Sequence, residues 1–347
     1  MRRRLLLVAG VLAGAGVLAA AAFATARVAW PAPTMASSAG ALLHISLPGI
    51  GGRVQSVRVV TMTAHDVPVQ LRNGDVWPLH KLRQGMRLVV EVTARRPGWV
   101  AWLAGATVTR TFAVTTPSVH VRTPVLHVRP GDAVAVRLDS AAAVASVDGV
   151  VRHDAGTVLP IDTTASAGTV DVLAAPRSWE QLSAPVRVSW FPMGVSRAIV
   201  TSPAPGTRLA PTQRLTLSFS SPIAHTLPQL QPKAAGRWIV LDDHSIAFEP
   251  NGAGFPLGGS VRIVLPAALR AVVPATGRVA GTLTWPVSAG TTLRLQQLLA
   301  QLGYLPLRWQ ASGTAPERTL AAQVQAAVSP PAGTFSWRWT RVPSALR

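Results

Sequence analysis

Apolar and polar positions alternate in short runs over most of this chain, and Gly, Pro, Asn and Asp punctuate the runs. From about His44 to Ser288 the pattern predicts β-strands. Val57–Met62, Val67–Leu71, Arg87–Thr93 and Thr107–Val114 form a first group by alternation or β-branched enrichment. Asn73-Gly74, between VQLR and DVWPL, predicts a two-residue hairpin, because a type I′ turn needs positive φ at both central residues. A second group holds Val125–Val128, the turn Arg129-Pro130-Gly131-Asp132 and Ala133–Leu138, a strand–turn–strand pattern. In the same group Asp148-Gly149 predicts another hairpin, and Val170–Leu173 and Val186–Phe191 complete the unit. The third group comprises Leu215–Phe219, Arg237–Leu241, Ser245–Phe248, Val261–Leu265 and Gly281–Trp285, with turns at the spacing of an all-β sandwich.

The two ends depart from this rhythm. Leu5–Ala26 is a continuous apolar run behind Arg2, Arg3 and Arg4, long enough to cross a bilayer core of roughly 30 Å and oriented with its amino terminus in the cytoplasm. Ala22-Phe23-Ala24 and Ala24-Thr25-Ala26 fit a signal-peptidase site, so both a single-pass anchor and a cleaved signal satisfy the pattern; the length of the run favours the anchor. Either way the body is expected outside the cytoplasm, at the membrane or secreted. Beyond Ser288, Thr291–Gly303 places Leu295, Leu298, Leu299 and Leu302 on one helical face, with Gly303 as its cap. Pro316–Val328 carries the start signals of a second helix, stopped by Pro330-Pro331. The expected boundaries are 1–30 signal or anchor, 31–43 a Pro/Ala/Ser-rich linker, 44–117, 118–193 and 194–288 three β-modules, and 289–347 a helical segment.

Composition narrows the function. Apolar residues make up 48% and charged residues 14%, enough for packed cores and against disorder. The chain has no Cys, which excludes disulfides and thiol chemistry. Its formal charge is +19; discounting Arg2, Arg3, Arg4 and Arg27 from the 33 basic residues, against 14 acidic ones, leaves +15 on the body. The strong preference of Arg over Lys is what a GC-rich genome produces, so part of this charge is codon usage. Export argues against nucleic acid as the partner and for anionic head groups or wall polyanions.

Candidate chemistry is sparse. Asp242-Asp243-His244 is the densest set of metal-ligand types, but Asp-Asp between two strands is turn chemistry. His65-Asp66 has no Gly-x-Ser-x-Gly partner, and Gly252–Gly259 lacks the Lys and helix of a phosphate loop, so it reads as a hairpin loop. No residue pattern calls for a metal, a cofactor or a catalytic centre. Trp99 and Trp102 read as core. Gln296, Tyr304, Arg308, Trp309, Trp337 and Trp339 are the candidates for wall binding, since aromatic rings stack on sugars and arginines meet polyanions.

Leu295-Gln296-Gln297-Leu298-Leu299-Ala300-Gln301-Leu302-Gly303-Tyr304 resembles the first helix of the peptidoglycan-binding domain of bacterial wall hydrolases, although the landmarks of that domain's later helices are missing. The third β-module, through Ser202-Pro203-Ala204-Pro205-Gly206, Leu215–Pro222 and Gly236-Arg237-Trp238 leading to Ile246–Pro250, resembles bacterial Ig-like domains of envelope proteins. The order of these parts, closed by Gly333-Thr334-Phe335-Ser336-Trp337-Arg338-Trp339, is similar to the anchored front half of actinobacterial-type L,D-transpeptidase-like wall proteins. There the resemblance implies a separate catalytic domain with His and Cys, absent from this sequence. The fold class expected is mainly β: tandem Ig-like β-sandwich modules after an amino-terminal transmembrane or signal helix, with a short α-helical carboxyl-terminal segment. The function expected is a non-catalytic, membrane-anchored envelope spacer with a peptidoglycan-binding-like element; the alternative is the front half of an L,D-transpeptidase.

Overall fold

The computed structural model describes residues 32–47, 52–98, 101–102, 105–223, 226–341 and 344. The expected amino-terminal anchor or signal, residues 1–30, lies outside the described residues, and so does Trp99. Among the described residues no helix is long and apolar enough to cross a membrane.

The first group of strands builds two four-stranded sheets. β1 (Thr34–Ala36), β2 (Leu43–Ser46), β5 (Val69–Arg72) and β6 (Asp75–Pro78) run in the order β1-β2-β6-β5. β3 (Arg53–Thr61), β4 (Asp66–Val67), β7 (Arg87–Arg95) and β8 (Thr107–Thr115) run in the order β4-β3-β7-β8. Alternation along β7 turns Leu88, Val90, Val92 and Ala94 inward. Leu88, Val90 and Val92 share a core with Leu43, Ile45, Val59, Val67 and Val76. Asn73 and Gly74 take φ of 52° and 86°, the left-handed pair that the β5–β6 turn requires. The linker expected at 31–43 is corrected here. Thr34–Ala36 pairs with His44–Ser46, and Ala41, Leu42 and Leu43 are buried. Composition around Pro31 and Pro33 shows only a tether, because the partner strand is what makes this segment a strand.

The second group forms one five-stranded sheet of β9 (Val125–Val128), β10 (Val134–Val147), β11 (Val150–Ile161), β12 (Gly168–Ala175) and β13 (Val186–Pro192), in the order β11-β10-β12-β13-β9. Asp148 and Gly149 make the left-handed β10–β11 turn, with φ of 50° and 83°. The strand–turn–strand pattern at 125–138 is not a hairpin: β9 pairs in parallel with β13, Trp190 opposite Leu126. This group is not a domain of its own. The chain divides into two compact units, residues 1–122, 137–159 and 172–186 in one and 123–136, 160–171 and 187–347 in the other. Trp179 explains part of the division, since it belongs to the core of the first sandwich and donates its indole N–H to the Gly40 carbonyl at 2.6 Å.

Residues 199–286 are a second sandwich. β14 (Ile199–Ser202), β15 (Leu215–Phe219), β17 (Gly236–Asp242) and β18 (Ser245–Pro250) order as β14-β15-β18-β17. β16 (Gln229–Gln231), β19 (Ser260–Val264) and β22 (Thr282–Pro286) form the facing sheet, and β20 (Ala271–Val273) pairs with β21 (Arg278–Ala280). Their core centres on Leu215, Leu217, Ile246, Phe255, Ile263 and the fully buried Trp285. Because β18 and β19 lie in different sheets, Gly252–Gly259 is an inter-sheet crossing, not the hairpin loop expected. Gly254 (φ 65°) sits against the Pro211 backbone, where a side chain would clash, and this lets Phe255 enter the core.

A candidate binding surface in the carboxyl-terminal segment

The last segment is an α–β–α–β unit of α1 (Thr292–Leu302), β23 (Leu307–Ala311), α2 (Leu320–Val328) and β24 (Gly333–Trp337). The Thr291 hydroxyl accepts from the Arg294 N–H at 3.2 Å to start α1, and Gly303, at φ 87°, ends it. α2 begins at Leu320, not Pro316, because Thr319 is its cap, accepting from the Ala322 N–H. Both strands are additions to the helical segment expected. β23 and β24 pair antiparallel, with Leu307 opposite Trp337 and Trp309 opposite Phe335. α2 seats this unit on the second sandwich, where Thr212 contacts Gln325 at 3.4 Å, and ties it to the start of α1, where the Thr291 N–H donates to the Ala327 carbonyl at 2.8 Å.

α1 is turned opposite to its sequence pattern. Its buried residues are Arg294, Gln297 and Ala300, whereas Leu295, Leu298 and Leu302 are exposed. The Arg294 guanidinium donates to the Gln297 oxygen (3.3 Å) and the Gln323 oxygen (2.8 Å), and Gln297 donates to the Pro331 carbonyl (2.9 Å). The Gln323 amide in turn donates to the Glu317 carbonyl at 2.6 Å. Amide oxygens, not carboxylates, thus hold this buried cation. Arg338 caps the far end of α1 by donating to the carbonyls of Ala300, Leu305 and Leu307.

The six wall-binding candidates do not line one cleft. Tyr304 is 76% exposed directly after α1, and Trp337 and Trp339 are 42% and 48% exposed. Trp309 is buried, its indole nitrogen without a partner, so it belongs to the core of the segment. Alternation along β23 puts exposed Arg308 on the opposite sheet face from Trp309 and Trp337. Gln296 is exposed on α1. Tyr304, Trp337 and Trp339 remain as aromatic surface, and Arg308 as a separate cationic face. Trp102, expected in a core, is instead 75% exposed.

Other clusters are occupied by structure. Asp242 accepts from the His244 N–H at 2.7 Å within the β17–β18 turn, and His244 Nδ1 contacts the Phe219 carbonyl. Asp66 pairs with Arg58 at 2.8 Å, a hydrogen bond and charge that hold its carboxyl below the usual range. The His120 backbone N–H and ring likewise lower the Asp139 carboxyl. A cavity of about 750 Å³ in the first unit is lined by Arg83, Gln84, His120, Leu138, Gln181 and Leu182, among others. Its central polar group is already spent: Gln84 donates to the Ala174 and Gln181 carbonyls and accepts from the Val119 N–H. Glu180 is the buried acid that sequence reasoning missed. It is 1% exposed, and burial pushes its carboxyl up to about 7 against the Arg177 N–H and charge, which pull it down.

No family model matches the sequence, and no curated protein matches it. Solved structures give weak likenesses. The SGBP-B protein of the Bacteroides ovatus mixed-linkage glucan utilization locus, in complex with a mixed-linkage heptasaccharide, has a TM-score of 0.22 and 12% identity over 76% of this chain and 65% of that one. The fibronectin(III)-like modules of Clostridium thermocellum CbhA have 0.18 and 11%, over 46% and 93%. The human Desmocollin-1 ectodomain has 0.16 and 9%, over 75% and 59%. The chain therefore spans just under two thirds of the first of these structures. Likenesses this weak carry neither fold nor function to this chain.

Proposed function

We propose that this chain is an exported, non-catalytic envelope protein whose β-modules carry the carboxyl-terminal α–β–α–β unit to the cell wall. The observation that carries the reading is the solvent exposure of Tyr304, Trp337 and Trp339 within a segment whose charged residues are six arginines and a single acid, Glu317. Exposed aromatic faces can stack on glycan rings, and the cationic surroundings draw a polyanionic wall polymer. Residues 5–26 act as the membrane anchor, so weak contacts operate at a raised local concentration. Purified sacculi mixed with the full-length chain in mild detergent test this. The wild type is expected to pellet with sacculi. Replacing Tyr304, Trp337 and Trp339 by Ala removes on the order of 1 kcal/mol per ring, about fivefold in affinity each. Undiminished pelleting of the triple variant discards the reading.

A second reading, as the regulatory front half of an L,D-transpeptidase, draws on the Leu295–Tyr304 sequence, which lies on α1 and its left-handed cap Gly303 after the β-modules. A His/Cys catalytic domain encoded immediately downstream supports it; the lack of one there discards it.

A further inference from the structure

Strand pairing gathers several features at one end of the first sandwich. The chain arrives there, because Thr34, where β1 begins, lies opposite Ser46, where β2 ends. The Asn73-Gly74 turn is at the same end, since the Ile45 N–H donates to the Gly74 carbonyl at 2.7 Å. β3 sets out from this end at Arg53, opposite Arg95, the last residue of β7, and reaches β4 at the other. Past Arg95 the β7–β8 connection carries Trp102, which is 75% exposed. The base of that connection is closed by hydrogen bonds. The Arg96 N–H donates to the Ala106 carbonyl at 2.9 Å, and its guanidinium donates to the Gly105 and Thr107 carbonyls at 3.0 and 3.1 Å. The Ala101 N–H donates to the Pro97 carbonyl at 3.0 Å.

Chemistry selects the partner. Between Arg96 and Thr107 the sequence has no charged, amide or hydroxyl side chain. It offers a sugar no hydrogen-bonding frame, and it suits the boundary of head groups and acyl chains, where Trp is enriched. The charges at this end ask for anions. Arg53 and Arg95 are exposed and directly opposite each other, an arrangement of like charges that repels until an anion joins them. Arg72, beside the Asn73-Gly74 turn, is exposed too, and its cross-strand neighbour Asp75 is already held by His44 at 3.0 Å. Reach is an independent constraint. From Ala26, where the apolar run ends, to Thr34 an extended chain covers at most about 28 Å. An anchored chain therefore keeps this end of the sandwich within that distance of the bilayer; that step alone rests on reading residues 5–26 as an anchor. We propose that Trp102, with Arg53 and Arg95 at the base of its connection, is a docking site that seats the first unit on a bilayer containing anionic phospholipid. The indole lies at head-group depth and the guanidinium groups meet lipid phosphates.

Single thiols can report depth, because the chain has no cysteine of its own. Full-length Ala106→Cys, beside Trp102, and Thr115→Cys, at the far end of β8, each take an environment-sensitive fluorophore at an exposed position. In vesicles containing phosphatidylglycerol, lipids spin-labelled at the head group are expected to quench the Ala106→Cys probe severalfold more than the Thr115→Cys probe. Adding Trp102→Ser, or Arg53→Ser with Arg95→Ser, to Ala106→Cys removes most of that difference with an unchanged melting curve; the two variants guard against loss of folding in either one. Equal quenching at the two positions overturns the proposal, and so does a difference that neither variant reduces. A probe at position 106 that responds to purified sacculi and not to vesicles also overturns it, since the partner is then the wall. Flotation with vesicles of phosphatidylcholine alone scores the anchor by itself, so docking and anchoring can each fail alone.

Discussion

Replacing Glu180 by Gln should remove a pH-dependent penalty from the first unit. Glu180 lies where the 177–181 segment is laced to the first sandwich. The Leu82 N–H donates to the Trp179 carbonyl, the Gln181 N–H donates to the Leu82 carbonyl, and Arg177 donates to the Ser38 carbonyl. One carboxylate oxygen accepts from the Arg177 N–H at 3.0 Å; the other is buried without a partner. The folded carboxyl titrates near 7 against 4.5 in the unfolded chain, with burial as the main cause. The folded state therefore holds a proton that the unfolded state has released between those two pH values. Stability falls as pH rises from about 4.5 to about 7 and is flat beyond. At about 1.4 kcal/mol per pH unit, the penalty above pH 7 is at most about 3.5 kcal/mol, less whatever local relaxation recovers. A Gln amide keeps the acceptor for the Arg177 N–H and cannot ionise. Glu180→Gln should thus be more stable than the wild type by about 1–3 kcal/mol at about pH 8 and equal to it, or slightly weaker, at about pH 4.5. Urea titrations of both proteins from about pH 4.5 to 8 read the difference directly. A stability difference that does not change with pH refutes the assignment of a buried, proton-holding Glu180.

Gly168→Ala should destabilise the second unit by about 1–3 kcal/mol, because a methyl there overlaps the buried Trp190 indole, itself fixed by its N–H on the Ala165 carbonyl at 3.0 Å; the urea midpoint should drop with m unchanged. Arg294→Met replaces a buried guanidinium held only by amide oxygens and should leave the melting temperature unchanged or raised. Arg294→Ala, which opens a cavity and strands the Gln297 and Gln323 oxygens, should cost about 2–4 kcal/mol in the same assay. Trp285→Ala should cost about 3–5 kcal/mol by urea titration, since the side chain is fully buried and its N–H donates to the Pro203 carbonyl at 3.1 Å.

Local patterns were legible wherever one strand or turn states its own requirement. Asn73-Gly74 and Asp148-Gly149 both make the left-handed hairpin turns that their dipeptides demand. The alternation in Arg87–Thr93 lies within β7, and the runs of the third group coincide with β15, β17, β18, β19 and β22 to within a few residues. Short strands escaped. β1, β14, β16, β20 and β21 have three or four residues each, too few for a period, and exist because a partner edge is present. The candidate site was legible only in part. Tyr304, Trp337 and Trp339 stand exposed, but no local pattern explains why Trp309, two positions from Leu307, should be buried while Trp337 opposite Leu307 is not.

The sequence alone determined the mainly β character, the hairpins, the composition that excludes thiol chemistry, and the existence and cap of the helix ending at Gly303. Each depends on residues within a few positions of one another. Tertiary structure decided which strands share a sheet, that β9 runs parallel to β13, and that the second group is divided between two compact units. It also decided the orientation of α1. An amphipathic pattern specifies that a helix has two faces, but not which face its neighbours cover. Here the amide oxygens of Gln297 and Gln323 accept from the two terminal nitrogens of Arg294 on the inside, and the leucines are left outside.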